Sequence, residues 1–472
     1  MENKNISKNL SENLKYIKET FSDFYDLVVR DISVGDILCQ KFAAVYIDGI
    51  CDKDFISESV VARLLDMPFK QRVAFAFSKD IDFLSEKVIS SAQTTVGKKF
   101  SELVAAVNFG DMVLLAEGKS EFLVVSSKKA VKRAISTPES KRNVRGPKDA
   151  FNENLKDNTS LLRCKLQSDN LKMVSSEMGS VSKTHIVVCY IDGIVNKELL
   201  NNALESLSHM KFKSVLGAGF LQNEIENKNK AFFDYTEATE RPDDVCRALL
   251  QGRVAVMVDN TPFVMIIPAL FKSMISGSDD FYESDIKRRL VFYLRIISIA
   301  FTVMLPALYI AVVDHNQEFI STKLISFIMF SRDKVPFSAF VEIFMVEIIF
   351  ELILEAGLRL PNQLAFTVSM VGSIVIGQAL VDASLVNITV CIIVALTAVL
   401  TFVIPGYSLS VCVRILKFVF MFAALLGGFF GMLVAFLVTL CAMCDMNAFG
   451  VEFMYPFADS EITLKSVQKE EK

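Results

Sequence analysis

Three glutamates occur at a constant spacing of four residues in a stretch of the chain that is otherwise apolar except for Glu342. Glu347 and Glu351 lie within residues 336–354, and Glu355 follows directly. A spacing of four residues places side chains on one face of an α-helix. Because carboxylates are costly where they face lipid, we expect this acidic face to meet protein, water or a cationic partner. The alternative is that the glutamates form salt bridges with Arg359 or other arginines.

A second group of polar side chains follows in the next apolar segment. Ser369 and Ser373 are small residues that allow helices to approach closely, and Gln378 and Asp382 place polar groups at the far end of the segment. In a symmetric oligomer, these side chains and the acidic face would form polar rings that suit cation conduction. The alternative is that the serines are packing contacts only.

The sequence offers little for catalysis, and we expect neither an enzyme nor a bound metal or cofactor. It contains no P-loop, no HExxH and no GxSxG, and histidine occurs three times. Asp48 and Asp192, each followed by glycine, could pair or bind a metal. The favoured interpretation is a turn after a buried strand, with the aspartate capping the next helix. The CxxC pair Cys441 and Cys444 has no second pair to complete a metal site.

Charge divides the chain into two parts of different solubility. Charged residues occur throughout the first 283 residues, whereas residues 360–444 contain only Asp382, Arg414 and Lys417. The first part therefore resembles a water-soluble protein and the second a lipid-soluble one. The net charge of −4 argues against a nucleic-acid partner, which would require a clustered basic face.

The soluble part contains an internal duplication. Residues 44–50 recur as residues 188–194, and residues 109–117 recur as residues 251–259, at offsets of about 144 and 142 positions. Each first block is a β-branched run that ends in Asp-Gly, and each second block is followed by a turn and another apolar run. The repeat predicts two similar α/β subdomains, each closed by a β-hairpin.

The C-terminal part contains apolar segments long enough to cross a bilayer, which takes about 20 residues. Residues 319–330 are too short and are interpreted as an interfacial or re-entrant helix. Basic residues 287–289 place the start of the first span in the cytoplasm, and Arg414 and Lys417 are expected in a cytoplasmic loop. The predicted spans are residues 291–313, 364–381, 385–404 and 415–440, with the acidic residues 336–354 as a fifth.

The predicted fold is an α/β soluble N-terminal half made of two similar subdomains, followed by an all-α multi-span transmembrane bundle. Its parts are an N-terminal helical segment (1–30), the first α/β subdomain (31–143), a linker with the second subdomain (144–285), the transmembrane helical domain (286–445) and a C-terminal tail (446–472).

Several motifs resemble the A subunits of the GerA family of bacterial spore germination receptors. They include Glu-Arg-Pro-Asp at residues 240–243 and Gly-Arg-Val-Ala-Val-Met-Val-Asp at residues 252–259. The densest similarity is in Glu-Leu-Ile-Leu-Glu-Ala-Gly-Leu-Arg-Leu-Pro at residues 351–361 and Val-Gly-Ser-Ile-Val-Ile-Gly-Gln at residues 371–378.

The resemblance implies a receptor complex in the inner membrane of the dormant spore, with the N-terminal domain on the cytoplasmic, spore-core side. It implies a membrane-embedded B subunit and a lipoprotein C subunit as partners. It also implies a homo-oligomer around an ion path that releases monovalent cations when a nutrient binds. The candidate ion-path or signalling residues are then Glu347, Glu351, Glu355, Ser369, Ser373, Gln378 and Asp382.

Two other functions remain open. The chain could be a sporulation or germination paralogue that acts as a membrane scaffold without conducting ions, because Leu354 replaces an arginine usual in the family and residues 448–453 are altered. The soluble half could instead bind a small molecule in a cleft between its two subdomains.

Overall fold

The structure is a computed structural model that divides the chain into two compact units. Among the described residues, one unit holds those up to Lys228 together with Thr236–Pro268, and the other holds Asn229–Tyr235 and residues 269–457. We call them the sheet unit and the helical unit. The described residues are 5–35, 39–78, 80–89, 93–128, 146–210, 212–229, 232–319, 321–332, 335–359 and 374–457.

Within its described residues, the sheet unit contains two five-stranded antiparallel sheets with the same strand order. The first sheet has the order β1-β2-β4-β5-β3 and the second has β6-β7-β9-β10-β8, as the sequence repeat predicts. The strands are β1 (Leu27–Val34), β2 (Gln40–Ile47), β3 (Thr94–Gly97), β4 (Met112–Ala116), β5 (Phe122–Val125), β6 (Leu171–Met178), β7 (Thr184–Ile191), β8 (Glu237–Thr239), β9 (Val254–Val258) and β10 (Val264–Ile267).

The predicted hairpins are β4–β5 and β9–β10. Gly118 and Asn260 occupy their turns with positive φ values of 79° and 63°, a conformation that glycine and asparagine tolerate best. All five residues of β4 and of β9 are buried, because helices cover both faces of each sheet. A strand covered on both faces appears in the sequence as a continuous apolar run, and the match between two such runs is what revealed the repeat.

The duplication extends further than the sequence comparison indicated. Helix Leu10–Thr20 precedes β1 as helix Leu155–Lys165 precedes β6. Asn13 Oδ1 accepts a hydrogen bond from the backbone N–H of Ser7, and its Nδ2 donates to the carbonyl oxygen of the same residue. Asn158 makes the same two bonds with Asn152. Each repeat therefore begins with a helix whose buried asparagine fixes the incoming chain.

The Asp-Gly turns follow β2 and β7 as predicted, with φ values of 95° at Gly49 and 84° at Gly193. The expectation that the aspartate caps the next helix is wrong for Asp192, after which Asn196 caps the helix that begins at Lys197. It is also wrong for Asp48. The cap is Asp52, whose side chain accepts from two backbone N–H groups of the helix that begins at Lys53. The chain needs four residues to turn before the helix starts, so the cap lies beyond the glycine.

Asp48 instead forms ion pairs within the sheet unit. Its Oδ1 lies 2.8 Å from Lys53 Nζ and its Oδ2 lies 3.5 Å from Lys156 Nζ. Partial burial by itself would raise the pKa of Asp48, but the hydrogen bond and charge of Lys53, together with Lys156, hold that pKa below its usual value.

A buried ion pair joins the two subdomains of the sheet unit. Arg163 donates from Nε and Nη2 to the two carboxylate oxygens of Asp26, at 2.5 and 2.7 Å, and both side chains are buried. The guanidinium also lies 3.9 Å from the ring centroid of Phe24. The backbone N–H of Tyr25 donates to the carbonyl oxygen of Met173 in β6. Bidentate geometry and backbone pairing together fix the subdomains against each other.

The remaining helical segments of the sheet unit pack on these sheets. Between β2 and β3 a short π-helical segment continues one helix into the next, and between β7 and β8 two longer helices occur. These segments are Lys53–Phe55, the π-helical Ile56–Val61, Ala62–Leu65, Phe69–Phe77, Asp82–Lys87, Phe100–Phe109, Lys197–Ser208, Ala218–Asn229 and Pro242–Leu250.

The helical unit is almost entirely α-helical and ends in a two-stranded hairpin. Among the described residues, two helices, Asp285–His315 and Tyr407–Asp445, are long and apolar enough to cross a membrane. Its helices are Phe271–Ile275, the first long helix (Asp285–Ile310, continued by the π-helical Ala311–His315), Thr322–Arg332, the acidic helix (Ala339–Arg359), a helix over residues 374–382, Ile388–Thr401 and the long C-terminal helix (Tyr407–Asp445); the hairpin pairs Asn447–Ala448 with Val451–Glu452.

The single span predicted over residues 415–440 is wrong, because the long C-terminal helix is broken at Gly427 and Gly428. These residues have φ/ψ values of −140°/15° and 55°/−134°, which no α-helix contains. A Cβ on Gly431 would lie 2.0 Å from the carbonyl oxygen of Ala423. Eight residues of straight helix separate such positions by about 12 Å, so the two arms bend sharply toward each other.

Both ends of the long C-terminal helix lie beside one short helix. A Cβ on Gly406 would be 3.6 Å from the carbonyl oxygen of Met274, and Phe271 donates its backbone N–H to the carbonyl oxygen of Phe453. A straight helix of 39 residues is about 58 Å long, and the residues from its end to Phe453 extend at most about 29 Å. The chain must therefore reverse at the break, which leaves two arms of about 30 Å or less.

Candidate functional site

The centre of the candidate site is a buried ion pair between the acidic helix and the long C-terminal helix. Glu347 Oε2 lies 2.5 Å from Lys417 Nζ, and the side chains are 0% and 1% exposed. The other carboxylate oxygen of Glu347 accepts a hydrogen bond of 3.3 Å from Thr397 Oγ1, on the helix Ile388–Thr401. Three helices therefore meet at one carboxylate whose two oxygens both have partners.

A second carboxylate and a second cation complete this network. Glu351 lies one helical turn after Glu347, and its two oxygens are 3.5 Å from Arg414 Nη1 and 3.6 Å from Lys417 Nζ. Two negative and two positive side chains thus compensate one another. The Lys417 ammonium also lies 5.4 Å from the ring centroid of Phe418, a distance at which aromatic rings attract cations. We call Glu347, Glu351, Arg414, Lys417 and Thr397 the charge network.

The spacing of these residues explains why the network forms. Residues four apart on the acidic helix share one face, and so do Arg414 and Lys417, which are three apart on the facing helix. The expectation that Arg414 and Lys417 lie in a cytoplasmic loop is wrong, because both lie inside the long C-terminal helix. A charge can stay within an apolar helix where an opposite charge faces it, and that partner is about 60 to 70 positions away in the sequence.

A second group of buried charges was not among the predicted site residues. Glu342 is fully buried, and its Oε2 accepts from the backbone N–H of Asn387 at 3.1 Å. Its Oε1 lies 3.3 Å from Arg332 Nε, and Arg332 also approaches Asp314. Asn387 donates from Nδ2 to the hydroxyl of Ser331. Glu342 has the acidic character that marked its neighbours, but it lies off their four-residue spacing.

The other predicted site residues lie apart from the charge network. Glu355 is 56% exposed and pairs with Arg359 one turn later, at 2.7 Å, as the salt-bridge alternative predicts. Gln378 and Asp382 are exposed on the helix over residues 374–382. Ser369 and Ser373 lie outside the described residues. The structure thus brings Glu347 and Glu351 together and gives each an intramolecular cation.

Side chains at the end of the first long helix satisfy the backbone freed by the helix break. Asn316 Oδ1 accepts from the backbone N–H of Phe429 at 3.3 Å, and His315 Nε2 lies 2.8 Å from the carbonyl oxygen of Leu425. Broken helices in membranes need such partners, because lipid offers none. A Cβ on Gly428 would lie 2.5 Å from Asn316 Oδ1, so this close approach requires glycine.

The described part of the chain contains no group of three or more histidine, cysteine or acidic side chains that could hold a metal ion. Cys441 and Cys444, the CxxC pair, are both exposed and unbridged.

The chain is thus a protein of two parts: a sheet unit made of two similar subdomains, and an apolar helical unit in which Glu347 and Glu351 are paired with cations of the same chain. The family model described as "Bacillus/Clostridium GerA spore germination protein" matches residues 15–468. The chain belongs to the GerA family of spore germination proteins, which confirms the resemblance found in the sequence.

Relatives in this family align over nearly the whole chain. "Spore germination protein KA" of Bacillus subtilis (strain 168) is 33% identical over 453 residues, covering 96% of this chain and 82% of that protein. "Spore germination protein GerLA" of Bacillus cereus is 32% identical over 455 residues, covering 96% and 91%. "Uncharacterized membrane protein YfkQ" of Bacillus subtilis (strain 168) is 33% identical over 460 residues, covering 97% and 88%.

A solved structure is also similar to part of the chain. It is the crystal structure of the N-terminal domain of the A subunit of the Bacillus megaterium spore germinant receptor GerK3. The similarity has a TM-score of 0.46 at 29% identity and covers 57% of this chain and 98% of that one.

Proposed function

We propose that this chain is the A subunit of a nutrient germinant receptor in the spore inner membrane. It would oligomerise and, with a membrane-embedded B subunit and a lipoprotein C subunit, convert germinant binding into release of monovalent cations. The observation that carries this proposal is the family match over residues 15–468, which includes both units, together with relatives named as spore germination proteins.

The proposed topology has an even number of membrane crossings. It is supported by the reversal at Gly427 and Gly428, which returns the chain to the helix Phe271–Ile275 near which the first long helix begins. The basic residues 287–289 favour the cytoplasmic side for that end. In this proposal the sheet unit and the residues after the long C-terminal helix are both on the spore-core side.

The proposed ion path runs beside the helix over residues 374–382, where copies of the chain would meet. This helix exposes most of its surface, and a Cβ on Gly377 would meet no atom within 4 Å. Gln378 and Asp382 are exposed there, and polar side chains in a membrane need protein or water around them. Ser369 and Ser373 precede them on the same predicted segment and belong to the same proposed path.

The charge network has a different role in this proposal. Glu347 and Glu351 hold the acidic helix against the long C-terminal helix within each copy, so that a displacement of one helix is transmitted to the other. The support is geometric, because both oxygens of Glu347 are engaged by side chains from two neighbouring helices. Glu355 lies on the exposed end of the same face and contributes little to this coupling.

Potassium release from spores tests the proposal. Spores that carry the chain as their only receptor of this type would be exposed to a panel of amino acids and nucleosides, and released potassium would be followed with an ion-selective electrode. Asp382→Asn and Gln378→Leu are expected to slow release at normal protein levels, whereas Glu355→Gln should leave it unchanged. Normal release from both path variants would remove this helix from the path.

The second candidate function is a membrane scaffold that conducts no ions. One observation favours it: the relative YfkQ is as similar as the named germination proteins, yet its name states only a membrane protein. Spores lacking this chain would then release potassium normally with every germinant, and genes for B-type and C-type subunits would not adjoin its gene.

A further inference from the structure

The first subdomain of the sheet unit exposes large apolar side chains on one short helix. Phe77 is 86% exposed and Phe69 is 51% exposed, both on the helix Phe69–Phe77, and Leu65 just before it is also exposed. The opposite side of this helix is anchored by Phe75, which is buried in the core of the first sheet. The exposed rings are therefore held on a fixed support and are not part of a mobile end.

The arrangement of this helix is that of an interfacial segment. At 100° per residue, Phe69, Val73 and Phe77 form a stripe about 80° wide. Lys70 and Arg72 flank the stripe on its two sides; Lys70 is exposed, whereas the Arg72 guanidinium packs against Gly35 and lies 5.6 Å from the ring centroid of Phe69. Exposed aromatic rings beside the exposed Lys70 fit the boundary of a bilayer, where rings enter the acyl region and an ammonium group meets phosphate.

We propose that the helix Phe69–Phe77 docks on the surface of an anionic lipid bilayer. Exposed apolar patches of this kind mark interaction sites, and the exposed Lys70 beside this one favours a negatively charged partner. A helix of nine residues binds lipid weakly, but the same chain carries apolar helices that hold it near a membrane, which raises the effective concentration. The proposal depends on membrane attachment and not on the ion path or the germinant.

The chain contains no tryptophan, so a single introduced tryptophan reports on one position. The full chain with Phe77→Trp would be reconstituted in phosphatidylcholine vesicles with and without phosphatidylglycerol, using lipids brominated along the acyl chain as quenchers. The matched control is Phe109→Trp, an aromatic position at the end of another helix of the same subdomain that is half exposed.

The expected result is blue-shifted emission from Phe77→Trp that brominated lipid quenches and that strengthens with phosphatidylglycerol, while Phe109→Trp stays accessible to aqueous iodide. The fraction of Trp emission that brominated lipid quenches gives the ratio of lipid-docked to undocked helix. Adding Lys70→Glu to Phe77→Trp should lower this ratio at least about fivefold, and adding Lys70→Arg should keep it. Equal quenching of both tryptophans by iodide would overturn the proposal. A blue shift without lipid quenching would also overturn it, because a protein surface would then cover the helix.

Discussion

Replacing Lys417 with methionine tests the charge network most directly. Methionine keeps most of the aliphatic length of lysine but removes the ammonium group that faces Glu347 at 2.5 Å. Glu347 is fully buried, so among the described residues its carboxylate would keep the Thr397 hydroxyl as its one hydrogen-bond partner. Removing one member of a buried pair typically costs about 3–5 kcal/mol, because the other charge stays buried without compensation.

The double variant Glu347→Gln/Lys417→Met separates this cost from simple loss of packing. It removes both charges and leaves an amide that can still accept from Thr397, so we expect stability within about 1–2 kcal/mol of the parent. The strong non-additivity of the two single substitutions is the signature of a buried pair. Glu355→Gln is the matched control on the same helix, since its exposed pair with Arg359 should contribute about 0.5 kcal/mol or less.

The assay is thermal denaturation of the purified full chain in detergent, with the folded fraction measured by gel filtration after heating. Lys417→Met should lower the midpoint substantially, the double variant should recover most of the loss, and Glu355→Gln should match the parent. Equal, small shifts for Lys417→Met and Glu355→Gln would refute the reasoning. A double variant that is as unstable as the sum of the singles would refute it as well.

Three further predictions concern other parts of the structure. Gly428→Ala should lower yield and thermal midpoint far more than Gly427→Ala, because only Gly428 has positive φ and no room for a Cβ, and equal midpoints would contradict the broken helix. Arg163→Leu should destabilise the sheet unit by about 3–5 kcal/mol by leaving Asp26 buried without its cation, and unchanged amide exchange in β1 and β6 would contradict this. Asp48→Asn should lose the stability that comes from the depressed pKa of Asp48. Its thermal midpoint should be lower than that of the parent by a constant amount above about pH 5, and the difference should vanish as the pH falls through the lowered pKa. A difference that persists in acid would contradict this.

Local patterns in the sequence predicted much of the architecture. The repeated blocks at two similar offsets predicted two like sheets, and the turn residues predicted the hairpins, because strands buried on both faces appear as continuous apolar runs. The four-residue spacing of the glutamates indicated a shared helical face; the structure places Glu347 and Glu351 against cations of another helix, whereas Glu355 pairs with Arg359 on its own helix. The helices Leu10–Thr20 and Leu155–Lys165 also carry a sequence signal that was overlooked, since residues 9–13 and 154–158 both read Asn-Leu, any residue, an acidic residue and Asn, at an offset of 145 positions.

The sequence by itself determined the duplication, the apolar character of the last third and the family, since each is written in composition, periodicity or motif. Only the tertiary structure decided that Lys417 and Arg414 lie inside a helix and that Gly427 and Gly428 reverse it. The structural role of a charge or a glycine within an apolar run cannot be inferred from the residues next to it in the sequence. Its free energy depends on the groups that approach it from distant positions, here Glu347 and Glu351 for the cations and Asn316 for the turn.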